Sequence, residues 1–273
     1  MFIFLDDEII DADRSFIHAL TPGVLKAKGV FETIRVYKNG IFGLKKHLKR
    51  MRKGLNFFNF KMPYSFEEWS AYIERLCGLN HFKEARARLM VWQEKNNLKT
   101  AIICQPLSFL KLSQYQQGFK AAIEKSRKKI SKSPEIKSLD YAFFREVFLA
   151  AEDQGCDEAL LVNKFGFLME GTRANVFFVK DGILYTPAIE SGCLAGITRG
   201  YVIALAKRLG IVCKTIQARV EEFCKGQEAF LTNSLMEIMP LVKMGGHNVG
   251  AGRTGPITRK LIKAYQKLVR ESL

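Results

Sequence analysis

The stretch Phe167-Leu-Met-Glu-Gly-Thr-Arg-Ala-Asn-Val-Phe-Phe-Val179 places a single carboxylate, that of Glu170, between two apolar runs. The second run has the composition of a buried strand, and residues 158–162 form another strand-like run ahead of it. Residues 138–154 have the apolar spacing of a helix, and a second helical pattern covers 197–209. Because strands and helices are interspersed here, this part of the chain predicts a mixed α+β domain.

A second, smaller unit is predicted ahead of this region. Its elements are strand-like runs at 30–37, 87–93 and 100–104 and helical patterns at 45–57 and 65–79. The pattern weakens after these elements, and 273 residues exceed the usual length of one domain, about 150 residues. We therefore predict an α+β protein with a small N-terminal α/β domain at 1–110, a linker at 111–117 and a larger C-terminal domain at 118–273.

The composition is that of an ordinary folded protein, with 48% hydrophobic and 26% charged residues. The chain has 43 Lys and Arg against 27 Asp and Glu, and the resulting charge of +16 favours capture of a small anionic substrate. The densest basic stretch, 45–53, has apolar residues at helical spacing, so most of its cations are expected on a solvated helix face. No motif that reads nucleic acid accompanies the charge, so a nucleic-acid-binding module is only the third hypothesis for function.

The cysteines, the histidines and the first residues of the chain predict a cytoplasmic protein that binds no metal. The six cysteines are scattered without a C-x-x-C pair, so we expect reduced thiols. None of the four histidines falls in a pair with the spacing of metal ligands. The first residues carry acids instead of the cations of a signal peptide, and no apolar run reaches the length of a membrane span. We expect neither a metal site nor a membrane partner.

One glycine-rich motif is expected to be a turn. Gly250-Ala-Gly-Arg-Thr-Gly255 matches the G-x-G-x-x-G pattern of dinucleotide-binding loops. That pattern requires a βαβ unit and an acidic residue about 20 positions downstream, whereas Pro256 and a last helical pattern at 257–269 follow here. The motif therefore predicts a surface turn that leads into the last helix.

Four separated pieces of sequence together suggest a phosphate-bearing cofactor held by a lysine. Lys137 precedes a strongly apolar helical pattern, where partial desolvation favours the reactive free amine. Glu170 could pair with a pyridine nitrogen. Gly196 leads into a helix that Thr198 could cap, and a helix N-terminus binds phosphate. Arg50 could bind a phosphate through two hydrogen bonds. Taken singly, each piece has an ordinary alternative: a solvated charge, an acid at a turn or a capped helix.

The order of several short segments resembles the class IV (fold type IV) pyridoxal-phosphate enzymes. These segments are Val-Phe-Glu-Thr-Ile-Arg-Val (30–36), His-Leu-Lys-Arg (47–50), Ile-Lys-Ser-Leu (136–139), Gly-Cys-Asp-Glu-Ala-Leu-Leu-Val-Asn (155–163), Glu-Gly-Thr-Arg-Ala-Asn-Val-Phe (170–177) and Gly-Ile-Thr-Arg (196–199). The family includes branched-chain and D-amino-acid aminotransferases and aminodeoxychorismate lyase. The resemblance implies a small N-terminal and a larger C-terminal domain, and a homodimer.

The resemblance also implies the cofactor and the residues that bind it. Pyridoxal 5'-phosphate is expected to be bound to Lys137 as a Schiff base, with Glu170 beside the pyridine nitrogen. The remaining residues, which the resemblance places around the phosphate, are Arg50, Ile197, Thr198 and Ser234.

The choice of family member depends on shorter signals. Phe230-Leu-Thr-Asn-Ser-Leu-Met-Glu-Ile-Met-Pro240 is similar to the T-N-S-L-M…P stretch of aminodeoxychorismate lyases, which predicts formation of 4-aminobenzoate and pyruvate from 4-amino-4-deoxychorismate. Glu237 is the aminotransferase-like residue at its position, and Trp92-Gln93 departs from the Arg-Gly pair that many lyases and transaminases share. An aminotransferase of the branched-chain or D-amino-acid type is therefore the alternative. Phe31 and Arg35 share one strand face and are candidates for contact with the anionic substrate, although Arg35 could equally form a structural ion pair.

Overall fold

The structure is a computed structural model that describes residues 1–13, 28–108, 110–124 and 136–273. The chain divides into two compact units. The first unit comprises Met1–Ser108, Glu135–Ala142 and Ser272–Leu273, and the second comprises Phe109–Pro134 and Phe143–Glu271. Both units combine helices with a sheet, which confirms the predicted α+β class.

The first unit is built on an antiparallel six-stranded sheet in the order β2-β1-β6-β5-β3-β4. Its strands are β1 (Phe2–Leu5), β2 (Glu8–Asp11), β3 (Gly29–Tyr37), β4 (Gly40–Ile41), β5 (Ala85–Glu94) and β6 (Asn97–Pro106). Helices α1 (Leu44–Phe57) and α2 (Phe66–Leu79) supply buried side chains, among them Met51 and Trp69, that pack with Ile34 of the sheet in one core.

Helix α1 is amphipathic, as the basic stretch predicts. Leu44, Leu48, Met51 and Leu55 repeat every three or four residues and are buried, whereas most of the cations between them are exposed. His47 is buried and the side chain of Arg50 is only 10% exposed, so two polar residues of α1 lie on its inner side. Both belong to the site described below.

The second unit is built on a mixed nine-stranded sheet in the order β12-β11-β10-β13-β14-β7-β8-β9, with β15 paired to β14. Its strands are β7 (Phe119–Glu124), β8 (Glu158–Val162), β9 (Leu168–Gly171), β10 (Asn175–Lys180), β11 (Ile183–Pro187), β12 (Cys213–Ile216), β13 (Glu228–Asn233), β14 (Glu237–Met244) and β15 (His247–Asn248). The helices that follow α2 are α3 (Leu112–Gln117), α4 (Ala142–Asp153), α5 (Ile197–Arg208), α6 (Val220–Cys224), α7 (Pro256–Ser272) and a 3₁₀ turn at Ile189–Ser191.

Two segments differ from the predicted domain boundaries. The predicted linker at 111–117 contains helix α3, and its Tyr115 hydroxyl donates a hydrogen bond to the Met236 carbonyl at 2.9 Å. Residues 135–142 group with the first unit instead of the larger domain. The reason is backbone pairing with β3, because the Phe31 N–H donates to the Lys137 carbonyl at 2.9 Å and the Leu139 N–H to the Gly29 carbonyl at 3.0 Å. Apolar periodicity does not reveal so short a pairing.

The same pairing explains why α4 begins later than predicted. Residues 138–141 precede the helix, which begins at Ala142 instead of 138. The close approach of this segment depends on Gly29, because a Cβ there would lie 2.5 Å from the Val91 carbonyl oxygen and 2.6 Å from Leu139 Cδ1. Glycine is therefore the residue that lets the Lys137 segment lie against β3.

The glycine motif at 250–255 leads into α7, and a carboxylate of the protein itself binds at the start of that helix. Glu228, on β13 and buried, accepts hydrogen bonds from Ile257 N at 3.0 Å, Thr258 N at 2.7 Å and Thr258 Oγ1 at 2.7 Å. Glu228 thus accepts hydrogen bonds from the backbone N–H groups at the start of α7, as a bound phosphate does at the helix N-terminus of a nucleotide-binding loop.

The described part of the chain contains no membrane-spanning helix, no metal-binding cluster and no disulfide bond. No helix there has both the length and the apolar character needed to cross a bilayer. No cluster of His, Cys, Asp and Glu in these residues could hold a metal ion. All six cysteines, each of them among the described residues, are free thiols.

Substitution Glu228→Gln is expected to lower the free energy of unfolding by about 1–3 kcal/mol, because a neutral amide cannot accept all of the hydrogen bonds at the start of α7. The midpoint of urea unfolding measures the change. Glu271→Gln is the matched control on the same helix, since Glu271 is exposed and pairs only loosely with Lys267 at 3.6 Å. Equal effects of the two substitutions would contradict this role of Glu228.

Candidate active site

Lys137 of the first unit lies among aromatic rings. Its Nζ is 4.5 Å from the ring centroid of Phe31 and 5.6 Å from that of Tyr141, and these two rings meet edge to face at 5.5 Å. The guanidinium carbon of Arg88 lies 4.7 Å from the Phe31 centroid. The structure therefore brings Lys137 and Phe31, both predicted site residues, into contact, and adds Tyr141 and Arg88.

The two predicted substrate residues, Phe31 and Arg35, lie in different surroundings. Arg35 donates a hydrogen bond to Glu84 at 3.1 Å and lies over the Tyr37 ring at 4.4 Å. This is the structural ion pair that was the alternative for Arg35. Arg88, which sequence reasoning missed, is the arginine next to Phe31. The alternation in Arg86-Ala-Arg88 within β5 was the signal that could have indicated it.

Burial and charge repulsion act together on Arg88. Burial, followed by repulsion from Arg86, lowers the pKa of Arg88 to about 10, so the guanidinium still carries its charge at neutral pH. Its Nε is buried without a hydrogen-bond partner among the described residues. The Arg88 cation is therefore held by packing and by the Phe31 ring.

Arg50, a predicted phosphate ligand, is held by a fully buried carboxylate. Glu32 on β3 accepts hydrogen bonds from Arg50 Nε at 2.7 Å and from a terminal Arg50 nitrogen at 2.6 Å. His47 Nδ1 lies 2.7 Å from the same carboxylate. Glu32 and His47 were missed from the sequence, although one helical turn separates His47 from Arg50 and places both on one face of α1.

The charge states of these three side chains follow from their surroundings. Burial alone would raise the pKa of Glu32, but Arg50 and His47 together lower it to about 2, so Glu32 is ionised. Burial lowers the pKa of His47, and the positive charges of Arg50 and Lys137 lower it further. The negative charge of Glu32 and its hydrogen bond raise the pKa, but by less. The neutral imidazole therefore carries its proton on Nδ1, and this N–H donates a hydrogen bond to Glu32.

In the second unit, Glu170 is fixed at the end of β9. Its side chain is buried, and Oε2 accepts hydrogen bonds from Leu194 N at 2.9 Å and from Asn175 Nδ2 at 3.2 Å. The same Asn175 amide donates to the Leu194 carbonyl at 2.8 Å. Glu170 is thus tied to the loop that leads into helix α5.

The start of α5 packs against the same asparagine. Gly196 is the N-cap residue, so the predicted cap at Thr198 is wrong; Thr198 is buried in the first turn. Glycine is required at position 196 because any Cβ there would collide with Asn175 Oδ1. The backbone N–H groups of Ile197 and Thr198 therefore lie at the N-terminus of a 12-residue helix, where the helix dipole favours an anion.

Another buried carboxylate organises the loop that follows Glu170. Glu158 on β8 accepts hydrogen bonds from Ala159 N at 2.9 Å, Thr172 N at 3.0 Å and Arg173 N at 3.2 Å, and one from the Thr172 hydroxyl. Burial raises the pKa of Glu158 even though these donors oppose the shift. The carboxylate thus satisfies several donors that the irregular backbone of this loop would otherwise leave without partners.

Ser234 lies in the turn between β13 and β14, which Asn233 stabilises. Asn233 Oδ1 accepts hydrogen bonds from Leu235 N at 3.0 Å and Met236 N at 2.9 Å, and its amide donates to the Arg173 carbonyl at 3.1 Å. The turn is thereby tied to the loop that follows Glu170. Hydrogen bonds thus link the loop before α5 to Glu170 at the end of β9, and the turn that contains Ser234 to the loop that follows Glu170.

These residues fit a pyridine that bears a phosphate. Thr232 lies opposite Asn175 in the β10–β13 pairing and is buried, and its Oγ1 has no hydrogen-bond partner within the described ranges. A buried hydroxyl without a partner costs about 1–3 kcal/mol. An anionic ligand at this face of the sheet would accept its hydrogen bond, while Glu170 offers a carboxylate to a ring nitrogen.

Glu32→Gln is expected to lower the free energy of unfolding at neutral pH by about 3 kcal/mol and to have less effect in acid. The pKa of Glu32 is about 2 in the folded chain against an ordinary 4.5, so its stabilisation is complete above pH 4.5 and is lost as the pH falls toward 2. Urea unfolding between about pH 7 and about pH 3 measures this difference. A difference that does not change with pH would contradict the ionised pair.

Gly196→Ala is expected to destabilise the chain by about 1–3 kcal/mol, because the added methyl group must displace the Asn175 side chain. Gly200→Ala in the same helix is the matched control, since a Cβ there meets no atom within 4 Å. Alanine is the better helix former, so the control is expected to be neutral or stabilising by up to about 1 kcal/mol. Thermal unfolding of both variants tests this, and equal midpoints would contradict the packing argument.

Comparisons with known proteins agree over nearly the whole chain. The family model described as amino-transferase class IV matches residues 29–244. A branched-chain-amino-acid aminotransferase of Pseudomonas aeruginosa is 30% identical, over 98% of this chain and 92% of its own length. The crystal structure of Escherichia coli branched-chain amino acid aminotransferase superposes with a TM-score of 0.88 at 26% identity, covering 98% of this chain and 94% of that one. The T.th. branched-chain amino acid aminotransferase with pyridoxamine 5'-phosphate gives a TM-score of 0.86 at 25% identity, covering 98% and 93%.

The predicted aminodeoxychorismate lyase activity is wrong. The similarity that suggested it is confined to Phe230–Pro240, which forms the β13–β14 turn and its flanking strands. The relationship to branched-chain aminotransferases covers 98% of the chain. A short turn sequence is a local signal, and the full-length relationship outweighs it. The prediction of folate biosynthesis falls with the lyase, and the alternative of an aminotransferase is favoured.

The predicted fold type and cofactor are confirmed. The two solved structures named above are branched-chain amino acid aminotransferases, and one of them contains pyridoxamine 5'-phosphate. Together with the match over residues 29–244, these findings show that the chain belongs to the class IV aminotransferases, enzymes that depend on pyridoxal phosphate.

Proposed function

We propose that this protein transfers the amino group of branched-chain amino acids to a 2-oxo acid. The observation that carries the proposal is the 30% identity, over 98% of the chain, to a protein named as a branched-chain-amino-acid aminotransferase. Two physical features of the chain support it: an amine set among aromatic rings in the first unit, and a buried carboxylate next to a helix N-terminus in the second.

The residues of the two units are assigned separate tasks. Pyridoxal phosphate, when bound, supplies an aldehyde that amines capture reversibly and a ring that accepts an electron pair. Lys137 would bind the aldehyde when no substrate is present, and its amine, once a substrate amine has replaced it there, would accept and return a proton. Glu170, oriented by Leu194 N and Asn175, holds the proton at the ring nitrogen.

Phosphate binding is assigned to groups that carry positive charge or exposed donors. In the second unit these are the backbone N–H groups of Ile197 and Thr198 and the hydroxyl of Ser234. In the first unit it is the guanidinium of Arg50. These assignments follow the resemblance, and the helix start and the orphan Thr232 hydroxyl support them.

The surroundings of Lys137 suit an amino acid with an apolar side chain. Phe31 is buried and the Tyr141 ring packs against it, so water is excluded on that side of the amine. Arg88 adds the positive charge that a substrate carboxylate requires. We assign Phe31 to substrate contact, as the sequence predicts, and Arg88 takes the role predicted for Arg35, whose guanidinium is engaged by Glu84. The predicted homodimer and cytoplasmic location stay proposals, and light scattering of the purified protein tests the dimer.

Lys137→Ala is expected to abolish amino-group transfer from leucine, isoleucine and valine to 2-oxoglutarate, because it removes the amine that carries the proton. Lys137→Arg is the matched variant: it keeps a cation near the Phe31 ring but cannot form a covalent bond with the aldehyde. Both variants should lose at least about 10³-fold in rate, and chromatographic detection of glutamate provides the measurement.

Lys120→Ala serves as the control, since Lys120 is exposed on β7. Its rate should equal that of the unchanged protein. Cofactor-loaded protein that transfers no amino group from any branched-chain amino acid would overturn the proposed function. Transfer from D-amino acids alone would overturn the substrate class and leave the aminotransferase activity in place.

A further inference from the structure

Glu32 is a fully buried charge to which the proposed chemistry gives no task. It lies on β3, one residue after Phe31, whose backbone N–H binds the Lys137 carbonyl. Its carboxylate receives hydrogen bonds from Arg50 and His47 at 2.6–2.7 Å. A buried charge is retained in a fold only where partners of this kind compensate its loss of hydration.

The contact with Arg50 fixes the orientation of the guanidinium. Both Nε and one terminal nitrogen bind the same carboxylate, so the plane and the edge of the group are set. A guanidinium has five N–H donors, and the pairing uses two of them. The buried imidazole of His47 binds the carboxylate from helix α1 and keeps Glu32 from turning with Arg50.

We propose that Glu32 is a positioning residue, which together with His47 holds the Arg50 guanidinium in the orientation that binds the cofactor phosphate. The proposal rests on the assignment of Arg50 under the proposed function. An arginine side chain is flexible, and one that is fixed beforehand loses less conformational entropy when the phosphate binds. Glu32 thus acts on cofactor affinity through Arg50 and makes no contact with substrate.

The test compares two ligands that differ only in the phosphate. The affinities of Glu32→Gln and of the unchanged protein for pyridoxal 5'-phosphate and for pyridoxal are measured by fluorescence titration. Glu32→Gln should weaken binding of pyridoxal 5'-phosphate by about 10-fold or more, the usual scale for loss of a partner that orients a ligand-binding group. Binding of pyridoxal should change by less than about 2-fold, because that ligand lacks the group that Arg50 holds.

A double-mutant cycle identifies Arg50 as the intermediary. In the Arg50→Ala background, Glu32→Gln should produce no further change in the ratio of the two affinities. An equal loss for both ligands, or a loss that persists without Arg50, would overturn the proposal. The first outcome indicates a general structural role, and the second indicates an effect through the Lys137 segment.

Glu228→Gln is the matched control, since Glu228 is another buried carboxylate with three hydrogen bonds. It should lose stability without altering the ratio. If Glu32→Gln does not fold, Glu32→Asp keeps the charge but is too short to reach both partners, and the same ratio is measured. The readout needs no amino-acid substrate, so a changed ratio in a protein that transfers no amino group would refute the proposed function and uphold this inference.

Discussion

Backbone pairing between the Lys137 segment and β3 is the constraint on which the surroundings of Lys137 depend. Two hydrogen bonds, Phe31 N to the Lys137 carbonyl and Leu139 N to the Gly29 carbonyl, fix a residue that lies about a hundred positions from the strand it joins. The approach is close enough that only glycine fits at position 29. Because the same strand carries Phe31 and Glu32, the lysine, the aromatic ring next to it and the support of Arg50 share one rigid element.

The sequence was sufficient for the features that are local in the chain. The α+β class, the apolar face of α1 and the helix that begins at Ile197 follow from spacing or short motifs. The roles of Lys137 and Glu170 come from the family resemblance and stay predictions. Partners that are distant in the chain were not predictable in this way. Periodicity places Glu32 and His47 on elements but does not reveal that they meet, and nothing in residues 136–139 indicates pairing with β3.

The wrong lyase prediction has a related cause. The β13–β14 turn is a local structure that the Asn233 side chain closes by binding two backbone N–H groups, and Glu237 adopts a φ of 60° at its end. The residue types in this stretch therefore reflect the conformation of the turn first, since few residues tolerate a left-handed backbone. The outcome of the reaction depends on which groups surround the substrate, and those come from several elements that no short stretch contains.

The net charge of the chain does not identify which residue would bind an anionic substrate. The net charge of +16 describes the whole chain, whereas the individual arginines of the first unit differ in how their charge is compensated. Arg50 is paired with Glu32 and Arg35 with Glu84, but Arg88 forms no ion pair with any carboxylate in the described part of the chain. A cation that is partly buried and close to another arginine is stabilised when an anion binds beside it. The proposed contact with a substrate carboxylate therefore depends on this one guanidinium, whereas most of the cations of helix α1 lie on its solvated face.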